Sequence, residues 1–443
     1  MDHHRCAVFA DMGLGKSAGT LSALDILWLA GSNYWPALVV APLRVARGTW
    51  PREAQKWDDF QHLKVSAITG TESERLAALR GRKADLYTIN FENLLWLSDV
   101  LGDNWPFKIV IVDESTRLAG FRLRKGTKRA KVLGNVAKQA GRFIELTGTP
   151  ALGGLEKLWG QMWFLDHGKR LGYTYGDFKS RWFKEDVYAH TLTPQPFALD
   201  QISDAIKDIC LTVRAKDYFD IKDPIIVPVE VDLPDKARTL YQQLEREMYA
   251  ELDALKHVDV VNAAALSSKC LQLASGALIA KETDTYKAAV HDVHDVKLDA
   301  LQSIVEESMG APLLVGYWWK HDQARIAQRF PQARVIKTQK DEDDWNAGRI
   351  PMALGHYASL GHGIDLQHGG HRLVHYSRWW DAELDLQWRA RLGPVRQLQS
   401  GYDRPVYEYE IVARNTVDEL VRLRHQSRRE VHDILADKTL RRG

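Results

Sequence analysis

The segment from Ala10 to Ser17, Ala-Asp-Met-Gly-Leu-Gly-Lys-Ser, combines residue types that bind phosphate groups. Its glycines let backbone N–H groups turn toward phosphate oxygens without an obstructing side chain. Lys16 can reach the β- and γ-phosphates of a nucleoside triphosphate, and the Ser17 hydroxyl is a suitable ligand of Mg²⁺. The candidate nucleotide-binding residues here are Gly13, Leu14, Gly15, Lys16 and Ser17. The alternative is an ordinary glycine-rich turn, because the usual first glycine of a phosphate loop is Ala10 here.

Two adjacent carboxylates, Asp113 and Glu114, follow the apolar run Ile109–Val112. Consecutive residues that leave a strand point in different directions, so the two side chains can take different roles. We expect Asp113 to bind Mg²⁺ and Glu114 to activate the attacking water as a general base. A surface acidic turn is the alternative interpretation of this pair.

The sequence Leu-Thr-Gly-Thr-Pro at 146–150 adds two hydroxyl groups after a further apolar run. Thr147 and Thr149 are suited to form hydrogen bonds with the acidic pair and so to relay the state of the nucleotide. Taken alone, the same five residues describe a turn, so the predicted coupling role depends on the phosphate loop.

Short apolar runs rich in Val, Ile and Ala precede all three motifs. In the first third of the chain they are Cys6–Ala10, Ala37–Ala41, Ile109–Val112 and Phe143–Leu146. Segments with helical spacing lie between them, as at Leu21, Leu24 and Leu27, and this alternation is typical of a parallel sheet covered by helices.

A second alternation of strands and helices follows a segment that prolines interrupt near residue 224. Its candidate strands are Leu313–Tyr317, Arg334–Ile336, Leu373–Tyr376 and Tyr407–Val412. We therefore predict an α/β fold of two tandem lobes, 1–222 and 223–443, with helical insertions at about 151–222 and 235–285.

The composition of the 443 residues excludes several classes of protein. Lys and Arg number 60 against 58 Asp and Glu, so any basic surface must be local and a histone-like polycation is excluded. No apolar run approaches the roughly 20 residues of a membrane span. The three cysteines lie far apart, and the N-terminus lacks the pattern of a signal peptide, so we expect a cytoplasmic protein.

Taken in order, the phosphate loop, the acidic pair and Thr-Gly-Thr-Pro resemble the motifs of helicase superfamily two. Within it, the sequences at 11–17, 41–43, 146–150 and 361–366 resemble those of the Swi/Snf-type ATPases. Asp-Glu-Ser-Thr at 113–116, together with the glycine-rich segment 361–370, is most similar to compact phage-encoded members. The resemblance covers nearly the whole chain.

This resemblance implies two RecA-like lobes, with ATP and Mg²⁺ in the cleft and double-stranded DNA across both lobes. It assigns the phosphate loop and the acidic pair the roles given above. In the second lobe it implies that Gly361, Gly363 and Asp365 couple that lobe to nucleotide and DNA.

The last family motif has a Gln, an Arg four residues on and a second Arg three residues further. Gln387 and Arg391 match its first part, but Pro394 occupies the next position, so Arg396 can serve only if the turn is longer. Such arginines stabilise the charge that develops on the γ-phosphate. We favour Arg391 with Arg396; Arg389 is the alternative, and a structural role for Arg396 stays open.

Family members carry a glutamine-containing segment that contacts adenine upstream of the phosphate loop, whereas nine residues precede Ala10 here. We therefore expect poor discrimination between ATP and GTP. Hydrolysis assays at equal nucleotide concentrations test this expectation, and a strong preference for ATP would contradict it.

Segment 117–142 contains nine Lys and Arg residues and no acidic residue. Such a density of positive charge predicts a local surface that binds DNA phosphates, and a solvated helix face is the alternative. The candidate DNA-binding residues are Arg122, Arg124, Lys125, Lys128 and Arg129.

These features together predict a DNA-stimulated ATP hydrolase that translocates on duplex DNA. A strand-separating helicase is one alternative. A catalytically weakened protein that only binds DNA is another, because the arginine motif departs from the family pattern.

Overall fold

The computed structural model describes residues 3–81, 83–123, 128–152, 154–186, 191–254, 260–279, 289–360 and 364–439. These residues form two compact units, which are divided between Phe219 and Asp220. The last described residues, from Arg428 onward, group with the first unit.

The first unit alternates strands with helices. Its strands are β1 (Arg5–Ala10), β2 (Ala37–Ala41), β3 (Val65–Ile68), β4 (Leu86–Asn90), β5 (Ile109–Asp113), β6 (Arg142–Thr147), β7 (Phe183–Asp186), β8 (Thr191–Pro194) and β9 (Cys210–Val213). Its helices are α1 (Lys16–Leu29), α2 (Trp50–Lys56), α3 (Glu72–Arg80), α4 (Leu94–Leu101), α5 (Lys128–Gln139), α6 (Leu158–Asp166), α7 (Tyr175–Trp182) and α8 (Ala198–Ile206). Capping boxes at Thr71 and Thr174 begin α3 and α7, because each threonine and the acidic residue three positions on satisfy free backbone N–H groups.

Seven of these strands form one parallel sheet in the order β3-β4-β2-β5-β6-β1-β9. Its central strands are buried on both faces. In β2, for example, Leu38 and Val40 pack in one hydrophobic cluster, whereas Val39 packs in another. Apolar runs without alternation therefore form these strands, because helices cover the sheet on both sides.

The second unit repeats this arrangement. Its strands are β10 (Ile225–Val231), β11 (Ala277–Ile279), β12 (Val290–Asp292), β13 (Leu313–Tyr317), β14 (Ala333–Val335), β15 (Met352–His356), β16 (Arg372–His375) and β17 (Tyr407–Ala413). Its helices are α9 (Asp235–Ala254), α10 (Val260–Ser275), α11 (Val296–Glu307), α12 (Lys320–Arg329), α13 (Gln339–Asn346), α14 (Tyr357–Leu360), α15 (Ala382–Arg389) and α16 (Pro394–Gln399). The final helix, α17 (Val417–Thr439), begins in this unit.

Six strands of the second unit form a parallel sheet in the order β10-β17-β16-β13-β15-β14. The predicted fold class, α/β with two tandem RecA-like lobes, is confirmed. Among the described residues, none of the helices has the length and apolar character that crossing a bilayer requires.

The predicted helical insertion at 151–222 is not purely helical. It contains α6, α7 and α8, but also the hairpin of β7 with β8 and the strand β9. The last of these joins the main sheet beside β1, where Ala7 is paired with Cys210. A short run such as Cys210–Val213 becomes a strand because the edge of the sheet supplies its hydrogen-bond partners.

Candidate functional site

Three predicted motifs meet at one edge of the first sheet. The strands β5, β6 and β1 are neighbours and run parallel, with Asp113 beside Leu146 and Thr147 beside Phe9. The phosphate loop, the acidic pair and the Thr-Gly-Thr-Pro turn each leave the carboxyl end of one of these strands. This is the edge at which parallel sheets bind ligands.

The loop from β1 to α1 has the backbone of a phosphate-binding turn. Gly13 and Gly15 have φ angles of 91° and 69°, in the left-handed region that glycine enters without strain. Helix α1 begins at Lys16 and has no side-chain cap, so its first N–H groups carry no capping side chain that a phosphate would have to displace. The Lys16 ammonium donates a hydrogen bond of 2.8 Å to the Ala10 carbonyl.

The turn after β6 packs directly against this loop. A Cβ atom on Gly148 would lie 3.2 Å from the Ala10 carbonyl oxygen and 3.5 Å from Lys16 Nζ. Glycine at 148 therefore permits a close approach between the two turns.

Asp113 is 7% exposed, and its Oδ2 accepts a hydrogen bond of 3.0 Å from Nε1 of the buried Trp50. Burial raises the pKa of the Asp113 carboxyl, against the opposing effects of the Trp50 indole and the Lys16 ammonium. The sequence motifs do not reveal Trp50, because it lies 63 residues from Asp113 and no local spacing connects the two.

Glu114 lies in a backbone conformation that is rare for residues other than glycine. Its φ and ψ angles are 63° and 61°, in the left-handed region. Such a residue costs free energy and persists only where its surroundings hold it in place. The next residue, Ser115, is completely buried.

The threonines differ from the prediction. Thr147 Oγ1 accepts a hydrogen bond of 3.0 Å from the Thr149 backbone N–H. Thr149 Oγ1 is buried and has no hydrogen-bond partner among the described residues, so the expected bond from its hydroxyl to the acidic pair is absent. Thr147 instead binds the backbone of its own turn, because a short hydroxyl side chain in a tight turn lies within reach of the neighbouring N–H groups.

In the second unit, Arg391 and Arg396 meet at the Ile364 carbonyl. Arg391 Nη1 donates to this oxygen at 2.8 Å, and Arg396 Nη1 donates to it at 3.1 Å. Arg396 also forms an ion pair of 2.6 Å with the exposed Asp365. The buried Gln387 joins the group through its backbone carbonyl, which accepts from Arg391 Nε at 3.1 Å. Gly361 and Gly363 lie outside the described residues.

Arg389 has a different environment. Its guanidinium is buried and pairs with the carboxylates of Asp385, Glu408 and Glu410. Burial alone would raise the pKa of Glu410, but Arg378 and Arg389 lower it to about 2. Arg389 is therefore engaged within the second unit, which argues against its alternative role at a phosphate.

The predicted DNA-binding residues separate into two groups. Arg122 is half-buried, with its guanidinium 3.5 Å from the centre of the Tyr175 ring and a hydrogen bond to the Ala119 carbonyl. Lys128 and Arg129 are exposed at the start of α5. Arg124 and Lys125 lie outside the described residues.

The positive charge of segment 117–142 is also partly neutralised by a residue outside it. Glu92, from outside the segment, lies 3.3 Å from Arg117 and 3.7 Å from Arg129. An acidic residue that is distant in sequence therefore offsets part of the positive charge.

Comparison with known proteins identifies the family. The model of the SNF2-related domain matches residues 1–278. The chain belongs to the SNF2-related family. The resemblance to compact phage-encoded Swi/Snf-type proteins is confirmed by the phage protein p41 of Acyrthosiphon pisum secondary endosymbiont phage 1. That protein is 46% identical over 448 residues, which cover 100% of this chain and 96% of the phage protein.

Other relatives of this SNF2-related chain are longer. The uncharacterized ATP-dependent helicase MG018 of Mycoplasma genitalium is 22% identical over 95% of this chain, which spans 39% of that protein. Human DNA annealing helicase and endonuclease ZRANB3 is 33% identical over 36% of this chain, which spans 14% of it. The solved SWI2/SNF2 ATPase core of Sulfolobus solfataricus with dsDNA aligns over 98% of this chain and 89% of its own length, with 20% identity and a TM-score of 0.41.

Replacing Trp50 with phenylalanine in this SNF2-related chain should raise the Mg²⁺ concentration required for half-maximal ATP hydrolysis by about tenfold. The substitution removes a hydrogen bond that favours the ionised form of Asp113, so the pKa of that carboxyl rises further above its usual range. Since the sequence predicts that Mg²⁺ binds the ionised form of Asp113, the acid limb of the pH profile should move to higher pH. Titrations of Mg²⁺ at several pH values measure both effects.

Trp105→Phe is the matched control, since Trp105 is also buried but its Nε1 has no hydrogen-bond partner among the described residues. Equal Mg²⁺ requirements in the two variants would contradict the role of the Trp50 indole.

Arg389→Leu should destabilise the second unit of the SNF2-related chain by about 3–5 kcal/mol, because it leaves buried carboxylates without their main cation. Chemical denaturation measures the free energy of unfolding. Arg329→Leu is the control, since Arg329 pairs with Asp299 at 2.6 Å on the surface, where both side chains are well exposed. Arg329→Leu should lower the free energy of unfolding much less than Arg389→Leu does. Similar losses in both variants would show that the stability of the buried cluster of carboxylates does not depend on Arg389.

Proposed function

We propose that this protein is a DNA-stimulated ATP hydrolase that moves along duplex DNA. Its family makes it a helicase-like ATPase. The phosphate loop after β1 and the Asp113–Glu114 pair after β5, at the ends of the two strands that flank β6, carry the proposal.

The residues at this sheet edge fit a triphosphate with Mg²⁺. Lys16 and the first N–H groups of α1 supply positive character, and the Ser17 hydroxyl and Asp113 carboxylate are the oxygen ligands that Mg²⁺ prefers. The buried Thr149 hydroxyl, which has no hydrogen-bond partner among the described residues, provides one more polar atom in the adjoining turn. When bound, Mg²⁺ neutralises charge on the phosphates.

In this proposal Glu114 orients and deprotonates the attacking water. Arg391 and Arg396 stabilise the charge that develops on the γ-phosphate. Asp365, which pairs with Arg396, holds that arginine until the phosphate competes for it.

The direct test is ATP turnover with and without duplex DNA. We expect DNA to increase the rate and Lys16→Ala to abolish it under both conditions. An active protein that does not respond to DNA would contradict the DNA-dependent part of the proposal. Absence of turnover would favour the alternative, a protein that only binds DNA.

A second measurement distinguishes a translocase from a strand-separating helicase. A translocase displaces the third strand of a triplex, whereas it leaves the two strands of a fork paired. Displacement of a fork strand with ATP would overturn this part of the proposal.

The exposed Lys128 and Arg129 should bind DNA phosphates, whereas the half-buried Arg122 should not. Lys128→Ala with Arg129→Ala should reduce the salt slope of DNA binding by about 0.9 for each phosphate that is no longer neutralised. Arg122→Ala should instead lower protein stability and leave the slope unchanged, since its guanidinium packs on Tyr175. Binding titrations over a range of salt concentrations measure the slope.

The charge-matched control is Lys320→Ala with Arg329→Ala on α12. If this control changes the salt slope as much as the α5 variant does, the α5 residues are not a distinct DNA-binding surface.

A further inference from the structure

The turns after β5 and β6 are joined by a glutamine outside all the predicted motifs. Gln161, on α6, is completely buried. Its Oε1 accepts a hydrogen bond of 3.2 Å from Ser115 Oγ in the turn after β5. Its Nε2 donates a hydrogen bond of 2.8 Å to the Pro150 carbonyl in the turn after β6. One side chain therefore connects the turn that bears Asp113 and Glu114 with the turn that packs against the phosphate loop.

The Glu145 carboxyl on β6 lies beside the same serine. This side chain and that of Ser115 are both 0% exposed. Burial raises the pKa of the Glu145 carboxyl well above its usual range, against the opposing effect of the Ser115 hydroxyl beside it. Ser115 therefore lies beside side chains of both β6 and α6.

The backbone of Glu114 needs a neighbouring residue that holds it in place. Its left-handed backbone is unfavourable for a residue with a Cβ atom, so the chain would relax if the neighbouring residue were free to move. Ser115 is that neighbour, and its hydroxyl is bound to Gln161. Since the φ and ψ angles of Glu114 set the direction of its Cα–Cβ bond, the Ser115 anchor restricts the positions that the carboxylate can take.

We propose that Gln161 is a positioning residue for Glu114. It holds the turn after β5 in the conformation that water activation requires, and it ties that turn to the one after β6. The inference rests on the proposed hydrolysis of ATP by Glu114, and it deepens that proposal by adding a residue that does not contact the nucleotide.

Gln161→Leu tests the inference, because leucine keeps the size of the side chain and removes both hydrogen bonds. We expect kcat for ATP hydrolysis to fall about tenfold, while KM stays within about twofold. The affinity for Mg·ADP should not change, since the phosphate loop is intact. In a Glu114→Gln background, Gln161→Leu should not reduce the residual rate further, because the group that it positions is already absent.

Ser115→Ala is the second variant. It removes the same hydrogen bond by the loss of one oxygen atom, so it tests the inference even if Gln161→Leu folds poorly. The control is Gln272→Leu, which removes a buried glutamine on α10 in the second unit and should leave kcat unchanged.

Different results would contradict the positioning role of Gln161 and the proposed hydrolysis of ATP. Unchanged kcat in Gln161→Leu and Ser115→Ala, with active wild-type protein, would overturn this inference alone. An equal loss from Gln161→Leu in the wild-type and Glu114→Gln backgrounds would also overturn it, since the effect would then not pass through Glu114. Wild-type protein without ATP hydrolysis would overturn the proposed function, and this inference with it.

Discussion

Replacing Glu114 with glutamine should lower kcat for ATP hydrolysis by about 10²–10⁴-fold, the usual contribution of a general base. Glutamine has nearly the same size, so it can keep the left-handed backbone that Ser115 anchors, but it cannot accept a proton from water. The phosphate loop is unchanged, and we therefore expect the variant to bind Mg·ATP as tightly as the wild type does. Single-turnover hydrolysis and equilibrium binding of nucleotide separate these two quantities.

Glu307→Gln is the matched control, since Glu307 is exposed at the end of α11 in the second unit. A Glu114→Gln variant that hydrolyses ATP at a rate close to that of the wild type would remove Glu114 from the proposed chemistry. A variant that loses nucleotide binding as well would indicate that the side chain supports the site rather than the reaction.

The second large effect concerns the arginines of the second unit. Arg396→Ala should lower kcat by about 10³-fold, the lower end of what an arginine at a transferring phosphoryl group contributes. The exposed Asp365 is the ion-pair partner of Arg396, and the Ile364 carbonyl that Arg396 also binds keeps Arg391 in the variant. Its removal should therefore lower the free energy of unfolding only slightly. The loss would then be one of catalysis rather than of folding.

Arg391→Ala should lower both kcat and stability. Arg391 is 4% exposed, and its guanidinium donates to the carbonyls of Ile364 and Gln387. In the variant the Gln387 carbonyl loses this donor, whereas the Ile364 carbonyl keeps Arg396. Measurement of kcat and of chemical denaturation for both variants assigns the roles. Full activity in Arg396→Ala would support the structural role that the sequence leaves open for this residue, and Arg391 would then be the remaining candidate.

Local patterns in the sequence predict part of this fold. Predicted strands correspond to β1, β2, β5 and β6 of the first sheet and to β13, β14, β16 and β17 of the second, whereas none corresponds to β3, β4, β9 or β15. The runs Ala37–Ala41 and Leu313–Tyr317 are strands with the predicted bounds. Both are continuous apolar runs that lie in the middle of a parallel sheet, where every side chain is buried and no alternation is required. The glycines of the phosphate loop are equally predictable, because their positive φ angles favour one residue type.

Contacts between distant residues could not be predicted in the same way. The hydrogen bond from Trp50 to Asp113 joins residues 63 positions apart, and that from Ser115 to Gln161 joins residues 46 positions apart. Neither pair has a spacing that marks it. The left-handed conformation of Glu114 is hidden for another reason, since glutamate is not a residue type that this conformation favours. The tertiary structure around the site imposes all three features.

The hydrogen bond from Lys16 to the Ala10 carbonyl has a consequence for affinity. A lysine side chain that becomes ordered only on binding loses about 2 kcal/mol of rotamer entropy. The hydrogen bond to Ala10 already restricts the torsions of the Lys16 side chain. In the proposed nucleotide site, an arriving triphosphate would therefore exchange one acceptor oxygen for another. We expect preorganisation of this kind to lower the entropic penalty of nucleotide binding.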